Sequence, residues 1–235
     1  LLRQHFPDWP LHRVDSDSMQ SRTAMQDLVQ DIHRGEPCIL LGTQMLTKGH
    51  HFPGVSLVAV IDADAMLFST DFRGEERMAQ LLTQVAGRAG RAELPGRVLL
   101  QTHYPDHPSL RALLAQPYAS RARELLADRA AAGMPPLGQL LLVRSDCADS
   151  AEGERFLQAL RGQLQGQLPP GCSLIGPLPS PMPRRAGKYR HQLLLLAPGR
   201  GAARTLADRT VAIGDALPAR RGLNWSLDID PQETF

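Results

Sequence analysis

The chain has 235 residues, 43% of them hydrophobic, enough to bury a core in one large or two small domains. A formal net charge of +2 excludes a uniformly basic surface, so any site for a polyanion must be a local concentration of charge. No apolar run approaches the roughly 18 residues of a membrane span, "LLRQHFPDWP" lacks a signal-peptide layout, and Cys38, Cys147 and Cys172 stand too far apart for a zinc site or a disulfide framework, so a cytoplasmic protein without metal or membrane is expected.

In chain order, helical spacing through Met25, Leu28, Val29 and Ile32 predicts a helix over 20–35, stopped at Gly35. "CILLGT" (38–43) and "SLVAVIDAD" (56–64) are short, nearly continuous apolar runs of the kind found in buried parallel strands, with the polar loop "QMLTKGHHFPG" between them. A helix over 75–88 and a strand over 96–105 follow, then helices over 109–133 broken near Pro117. After the boundary marker "MPPLG" the pattern reads strand (139–145), helix (150–166), strand (172–176), a Pro-rich basic connection, strand (189–196), helix (200–216) and strand (223–229). That order, βαββαβ, is the split-βαβ arrangement. The fold class is therefore α/β: part of a parallel-sheet lobe (1–108), a helical connector (109–137) and a small α+β domain (138–235).

"TQVAGRAGRAE" (83–93) sets two glycines and two arginines in five positions of a helical pattern. Gln84, Arg88 and Arg91 at i, i+4 and i+7 would share one face. Each glycine costs about 1 kcal/mol relative to alanine in a helix interior, and such local violations concentrate at functional sites. Gly87 and Gly90 would admit a phosphate chain, while the guanidiniums offer the planar fork that suits phosphoryl oxygens. Taken alone, the stretch fits a solvated helix end equally well. The neighbouring loop favours function, because it leaves a strand at Gly42, Thr43 and Gln44, where ligands gather in open α/β sheets, and adds Lys48 and Gly49.

"GTQMLTKGHHFPGVSLVAVIDAD" followed by "QVAGRAGR" resembles motifs V and VI of superfamily-2 helicases, in wording similar to the PriA family of replication-restart helicases. "VDSDS", "LFSTDFRGEERMAQL", "VLLQTHYPDHP" and "LNWSLDIDP" extend the resemblance over essentially the whole chain. It implies a RecA-like lobe in which Arg88 and Arg91 reach ATP, with Arg91 as the finger, Gln84 bridging the cleft, and Gly87 and Gly90 beside the nucleotide. Thr43, Gln44, Lys48 and Gly49 would contact the DNA strand. ATP and Mg²⁺ are the implied cofactors, their site completed by a first lobe that these residues do not contain. No GxxxxGK[ST] loop and no DExH-type motif is present, so the chain alone is expected not to hydrolyse ATP, and a C-terminal fragment is inferred. The family's zinc-binding insertion would likewise precede Leu1.

The resemblance also implies a ribosomal S10-like C-terminal domain that binds branched DNA, here through "RRAGKYRH": Arg184, Arg185, Lys188, Arg190 and His191, with Tyr189 interleaved to stack on a base. Arg200 and Arg204, at the start of the last helix, would receive the acidic C-terminal tail of single-stranded-DNA-binding protein. Branched and single-stranded DNA, that protein and other primosome proteins are the implied partners. The alternative is a non-enzymatic docking module for DNA or the acidic tail; an unrelated α/β enzyme with a coincidental Arg-rich helix is the third reading. Asp62 and Asp64, two apart, could share a strand face and hold Mg²⁺, but a structural role is preferred; adjacent His50 and His51 point apart and make no metal pair. Asp71, Arg73, Glu75 and Glu76 are expected to form a polar surface loop and helix start, with a DNA contact as the lesser alternative.

Overall fold

The computed structural model describes residues 1–14, 22–42, 54–87, 96–218 and 222–234, which fall into two compact units, Leu1–Arg121 and Ala122–Phe235. The first unit runs α1 (Leu2–His5), β1 (Leu11–Val14), α2 (Arg22–His33), β2 (Ile39–Gly42), β3 (Leu57–Val60), α3 (Asp64–Leu67), α4 (Gly74–Ala86), β4 (Arg97–Leu100) and α5 (Pro108–Ala115), and ends within α6 (Tyr118–Ala131). Its strands pair in parallel, β1 with β2 and β3 with β4, and parallel neighbours need a crossover: α2 supplies one, α3 and α4 the other. Val14, Leu28 and Ile32 close one small core, and Leu67, Met78 and Leu110 another.

α4 forms because Met78, Leu82 and Val85 recur at i, i+4 and i+7 facing inward, while Glu75 and Glu76 sit in the first turn, where the helix dipole favours anions. Its start is braced from both sides. The Asp71 carboxylate accepts the Arg73 N–H at 2.9 Å and pairs with the Arg73 and Arg77 guanidiniums. Glu75 accepts Ser109 Oγ at 2.9 Å and pairs with Arg121. The expected surface loop is thus corrected: Asp71 is only 2% exposed, because the opposite charges of Arg73 and Arg77 let a carboxylate be buried.

The strand expected over 56–64 is also corrected, since β3 ends at Val60. Asp62 takes a left-handed backbone conformation (φ 56°) and Asp64 opens α3, so the two carboxylates do not share a strand face.

The second unit holds β5 (Gln139–Cys147), α7 (Ser150–Gln165), β6 (Ser173–Arg185), β7 (Lys188–Ala197), α8 (Arg200–Ala216) and β8 (Asn224–Ile229). Every pairing is antiparallel and the strand order is β6-β7-β5-β8, the sheet of a split-βαβ fold. Period-2 alternation assigns Leu141, Val143, Ser145 and Cys147 to the face that meets α7 and α8, with Phe156, Leu157, Leu160, Leu164, Leu206 and Ile213 among the helix side chains filling the core. The Asp149 carboxylate caps α7 by accepting the Ala151 N–H at 2.9 Å. Gly214 lets α8 lie against the Trp225 indole, where a Cβ would stand 2.7 Å from a ring carbon.

The Pro-rich connection expected after residue 176 is instead the continuation of β6 to Arg185. Pro177, Pro179, Pro181 and Pro183 are tolerated because β6 is an edge strand, and the ladder to β7 shifts register twice along them.

Candidate nucleic-acid interface

The "RRAGKYRH" stretch forms the turn of the β6–β7 hairpin. Ala186 (φ 48°) and Gly187 (φ 79°) are its two central residues, and positive φ at both is the requirement of the type I′ turn that matches strand twist. Arg184 pairs across the strands with Tyr189, and Arg185 with Lys188. Pleating therefore divides the expected patch between the two sheet faces: Arg184 and Tyr189 on the helix side, Arg185, Lys188 and Arg190 on the other. The Arg184 guanidinium lies over the Tyr189 ring, 5.2 Å from its centroid.

Two members of the patch are otherwise committed. Arg190 donates from Nε to Asp146 at 3.2 Å and its side chain is 11% exposed. His191 is 7% exposed, under Gly153 and 3.4 Å from Ser150 Oγ. Its placement on the core side corrects its expected inclusion in the patch: five residues from the tip, the strand already lies beneath α7. The exposed cationic surface is Arg184 and Arg185 at the tip, with Lys188 half-buried beside them.

Arg200 and Arg204 stand one turn apart on the solvent side of α8, whose opposite side buries Ala203, Leu206, Ala207 and Thr210. Neither makes an ion pair among the described residues. On the sheet face without helices, the sequence reading missed Arg144: it bonds Asp228 at 3.1 Å and the Glu233 carbonyl at 2.9 Å, fastening the C-terminal segment to the sheet. Its only sequence signal was an arginine directly following the apolar run of a strand.

In the first unit, α4 brings Gln84 to the solvent and ends at Gly87, whose φ is −71°; a Cβ there would meet only the Thr83 and Gln84 carbonyls of the preceding turn. Thr43, Gln44, Lys48, Gly49, Arg88, Gly90 and Arg91, with His50 and His51, lie outside the described residues.

Beyond the carboxyl ends of β3 and β4, Asp64 joins the two connections: it accepts Thr102 Oγ1, the His103 N–H at 3.0 Å and His103 Nδ1 at 2.8 Å. Those bonds, the Thr102 hydroxyl foremost, hold its carboxyl below the usual carboxylate range. A carboxylate so occupied fits the structural role, not a magnesium ligand. Among the described residues no cluster of three metal-ligating side chains occurs, and no helix is long and apolar enough to cross a membrane. Burial pushes the Cys38 and Cys172 thiols up, against a role as reactive thiolates.

Residues 1–93 match the helicase conserved C-terminal domain, and residues 130–232 match the primosomal protein N C-terminal domain. The replication restart protein PriA of Haemophilus influenzae is 43% identical over 233 residues, 99% of this chain and 32% of that protein. The chain belongs to the PriA family. PriA of Synechocystis is 40% identical over 84% of the chain, and PriA of Bacillus subtilis 35% identical over 83%; the chain covers 24% of each. It thus spans about a quarter to a third of the length of these PriA relatives. Among solved structures, the de novo designed protein Foldit4 aligns with 41% of the chain and 99% of its own length at 7% identity and a TM-score of 0.31, too low to bear on the fold.

The two domain matches fall on opposite sides of residues 94–129, the helicase match in the unit with parallel strand pairs and the primosomal match in the antiparallel unit.

Proposed function

We propose that the chain is the C-terminal portion of an ATP-dependent 3′ to 5′ DNA helicase that remodels stalled replication forks, with a helicase lobe over 1–108, a connector over 109–137 and a DNA- and partner-binding domain over 138–235. The observation that carries this is the joint presence, in one chain, of a helicase C-terminal match and a primosomal C-terminal match. Arg91 serves as the arginine finger toward ATP, with Arg88 and Gln84 beside it and Gly87 and Gly90 leaving room for the nucleotide. Thr43, Gln44, Lys48 and Gly49 follow the translocated strand. The sequence has no phosphate loop to cradle β- and γ-phosphates, so ATP and Mg²⁺ are shared with a first lobe and this chain alone does not hydrolyse ATP. Zinc belongs to the complete family member and not to these residues.

DNA is held in the C-terminal domain by the hairpin tip, through Arg184, Arg185 and Lys188, with Tyr189 and Arg190 behind them. Arg200 and Arg204 form a fork for the terminal carboxylates of an acidic protein tail, that of single-stranded-DNA-binding protein, and the chain works with primosome partners in the bacterial cytoplasm.

The test is fluorescence anisotropy of the chain on forked and plain duplex DNA across a salt series. Binding that favours the fork, weakens steeply with salt and falls when Arg184, Arg185 and Lys188 are replaced by alanine is the expected result. A folded chain whose affinity ignores those three replacements would remove the hairpin from the interface. Retained fork and tail binding, with no stimulation of ATP hydrolysis by an added first lobe, would favour the docking-module reading.

A further inference from the structure

Just past the carboxyl ends of β3 and β4, the first unit displays aromatic rings that its core does not use. Phe68 is 52% exposed and Tyr104 54%, and their rings meet edge to face with centroids 4.9 Å apart. The His107 ring flanks Phe68 on another side at 5.6 Å, again edge to face.

Hydrogen bonds within the unit fix the segments that carry these rings. The Tyr104 N–H donates to Thr102 Oγ1 at 3.0 Å, and that hydroxyl in turn donates to Asp64. His107 Nδ1 accepts the Ser109 N–H at 3.3 Å, capping α5. The His103 imidazole is 86% exposed, and its Nδ1 bond to Asp64 leaves Nε2 turned to solvent as a polar rim.

Half-exposed aromatic rings, fixed beforehand and edged by an imidazole and a phenol, have the chemistry of a surface for flat, polar-edged ring systems. Their place, outside the carboxyl ends of parallel strands, is where open α/β sheets bind ligands. Asp106 is paired with Arg111 at 3.2 Å and the Asp64 carboxylate is taken up by hydrogen bonds from Thr102 and His103, so the patch offers ring faces and, among the described residues, no unpaired arginine or lysine for a phosphate backbone.

We propose that Phe68 and Tyr104 form a base-stacking platform for single-stranded nucleic acid, with His103 Nε2 as a hydrogen-bonding group on its rim. The proposal rests on the reading of the chain as part of a DNA-handling protein, and it adds a further contact, independent of the hairpin and governed by bases instead of phosphates.

The experiment compares binding of the full chain to a short oligothymidylate and to an abasic oligonucleotide of the same length and charge, across salt concentrations. The natural chain should favour the base-bearing strand by about tenfold, the worth of one stacked base, with a ratio that hardly changes with salt. Phe68→Leu with Tyr104→Leu keeps apolar packing but removes the flat rings, and should bring the ratio close to one; Tyr104→Phe should preserve it. Alanine at Arg184, Arg185 and Lys188 should weaken both ligands together and leave the ratio unchanged, so loss of the hairpin contact and loss of the platform read out separately. A ratio unaffected by the double leucine variant overturns the platform whatever the hairpin variants do. So does a ratio of one in the natural chain, or a folded chain that binds neither strand.

Discussion

Asp64 shows what a single side chain contributes when local hydrogen bonds hold it as an anion. Its carboxyl lies below the usual carboxylate range, first through the Thr102 hydroxyl and then through the His103 N–H. A depressed folded pKa means stability that is complete above the unfolded value, about 3.9, and is lost as pH falls through the folded value. Urea midpoints measured from neutral pH downward should therefore show the natural chain ahead of Asp64→Asn at pH 6, with the gap closing below about pH 4; a gap that persists at pH 2 would mean the amide disrupts packing for another reason. Gly214 gives a second outcome of this kind. A methyl group there would stand 2.7 Å from the Trp225 ring, so Gly214→Ala should cost about 1–3 kcal/mol in denaturant unfolding despite alanine's better helix propensity. The sequence pattern distinguished neither residue from its neighbours: an aspartate two places after another, and one glycine in a helix among several.

The β6–β7 hairpin shows the same division for a whole element. Its cationic content was legible in "RRAGKYRH", but its shape was not, because four prolines between 177 and 183 read as a break. They read so because proline lacks a ladder donor, and only the strand order shows that β6 is an edge, where no donor is needed on the outer side. Strand pairing then decides which cations are available: Arg190 faces Asp146 across the ladder, whereas Arg184 and Arg185 stand at the tip. The Ala-Gly turn is not the preferred chemistry, since alanine at φ 48° carries a left-handed penalty that asparagine bears more easily. Ala186→Asn should raise stability by about 0.5–1 kcal/mol, seen as a higher denaturant midpoint at unchanged slope. An unchanged or lower midpoint would show that the turn is not limiting. On α8, exposed Arg200 and Arg204 predict that a peptide ending in an acidic tail binds and that Arg200→Ala weakens it about tenfold, the worth of a charge-assisted hydrogen bond. Equal affinity of the variant in calorimetry would place the tail elsewhere.

Across the full chain, the cores are unequal. The second unit closes one continuous cluster on its sheet, from Leu141 to Ile213, while the first unit's described core is two small groups around Val14 and Met78. Hydrogen exchange should accordingly be slowest in β5 and β7 and faster in β1 to β4, and thermal unfolding should depart from a single two-state transition. Leu160→Ala, inside the larger core, should cost about 2–5 kcal/mol and act on the more stable transition alone; one cooperative transition shifted as a unit would show that the two units unfold together. Apolar periodicity was enough to read the α/β class and the order βαββαβ from the residues alone, because it records which side of each element avoids water over many positions at once, while the family motifs were legible through the resemblance of particular residue strings. Where β3 stops, that Asp71 is buried beneath its own arginines, that the basic stretch turns back as a hairpin with Arg190 and His191 withdrawn, and that Phe68 and Tyr104 stand together at the strand ends were decided only by tertiary structure. Each depends on partners distant in sequence, and a one-dimensional pattern carries the preference of a residue but not the identity of what it meets.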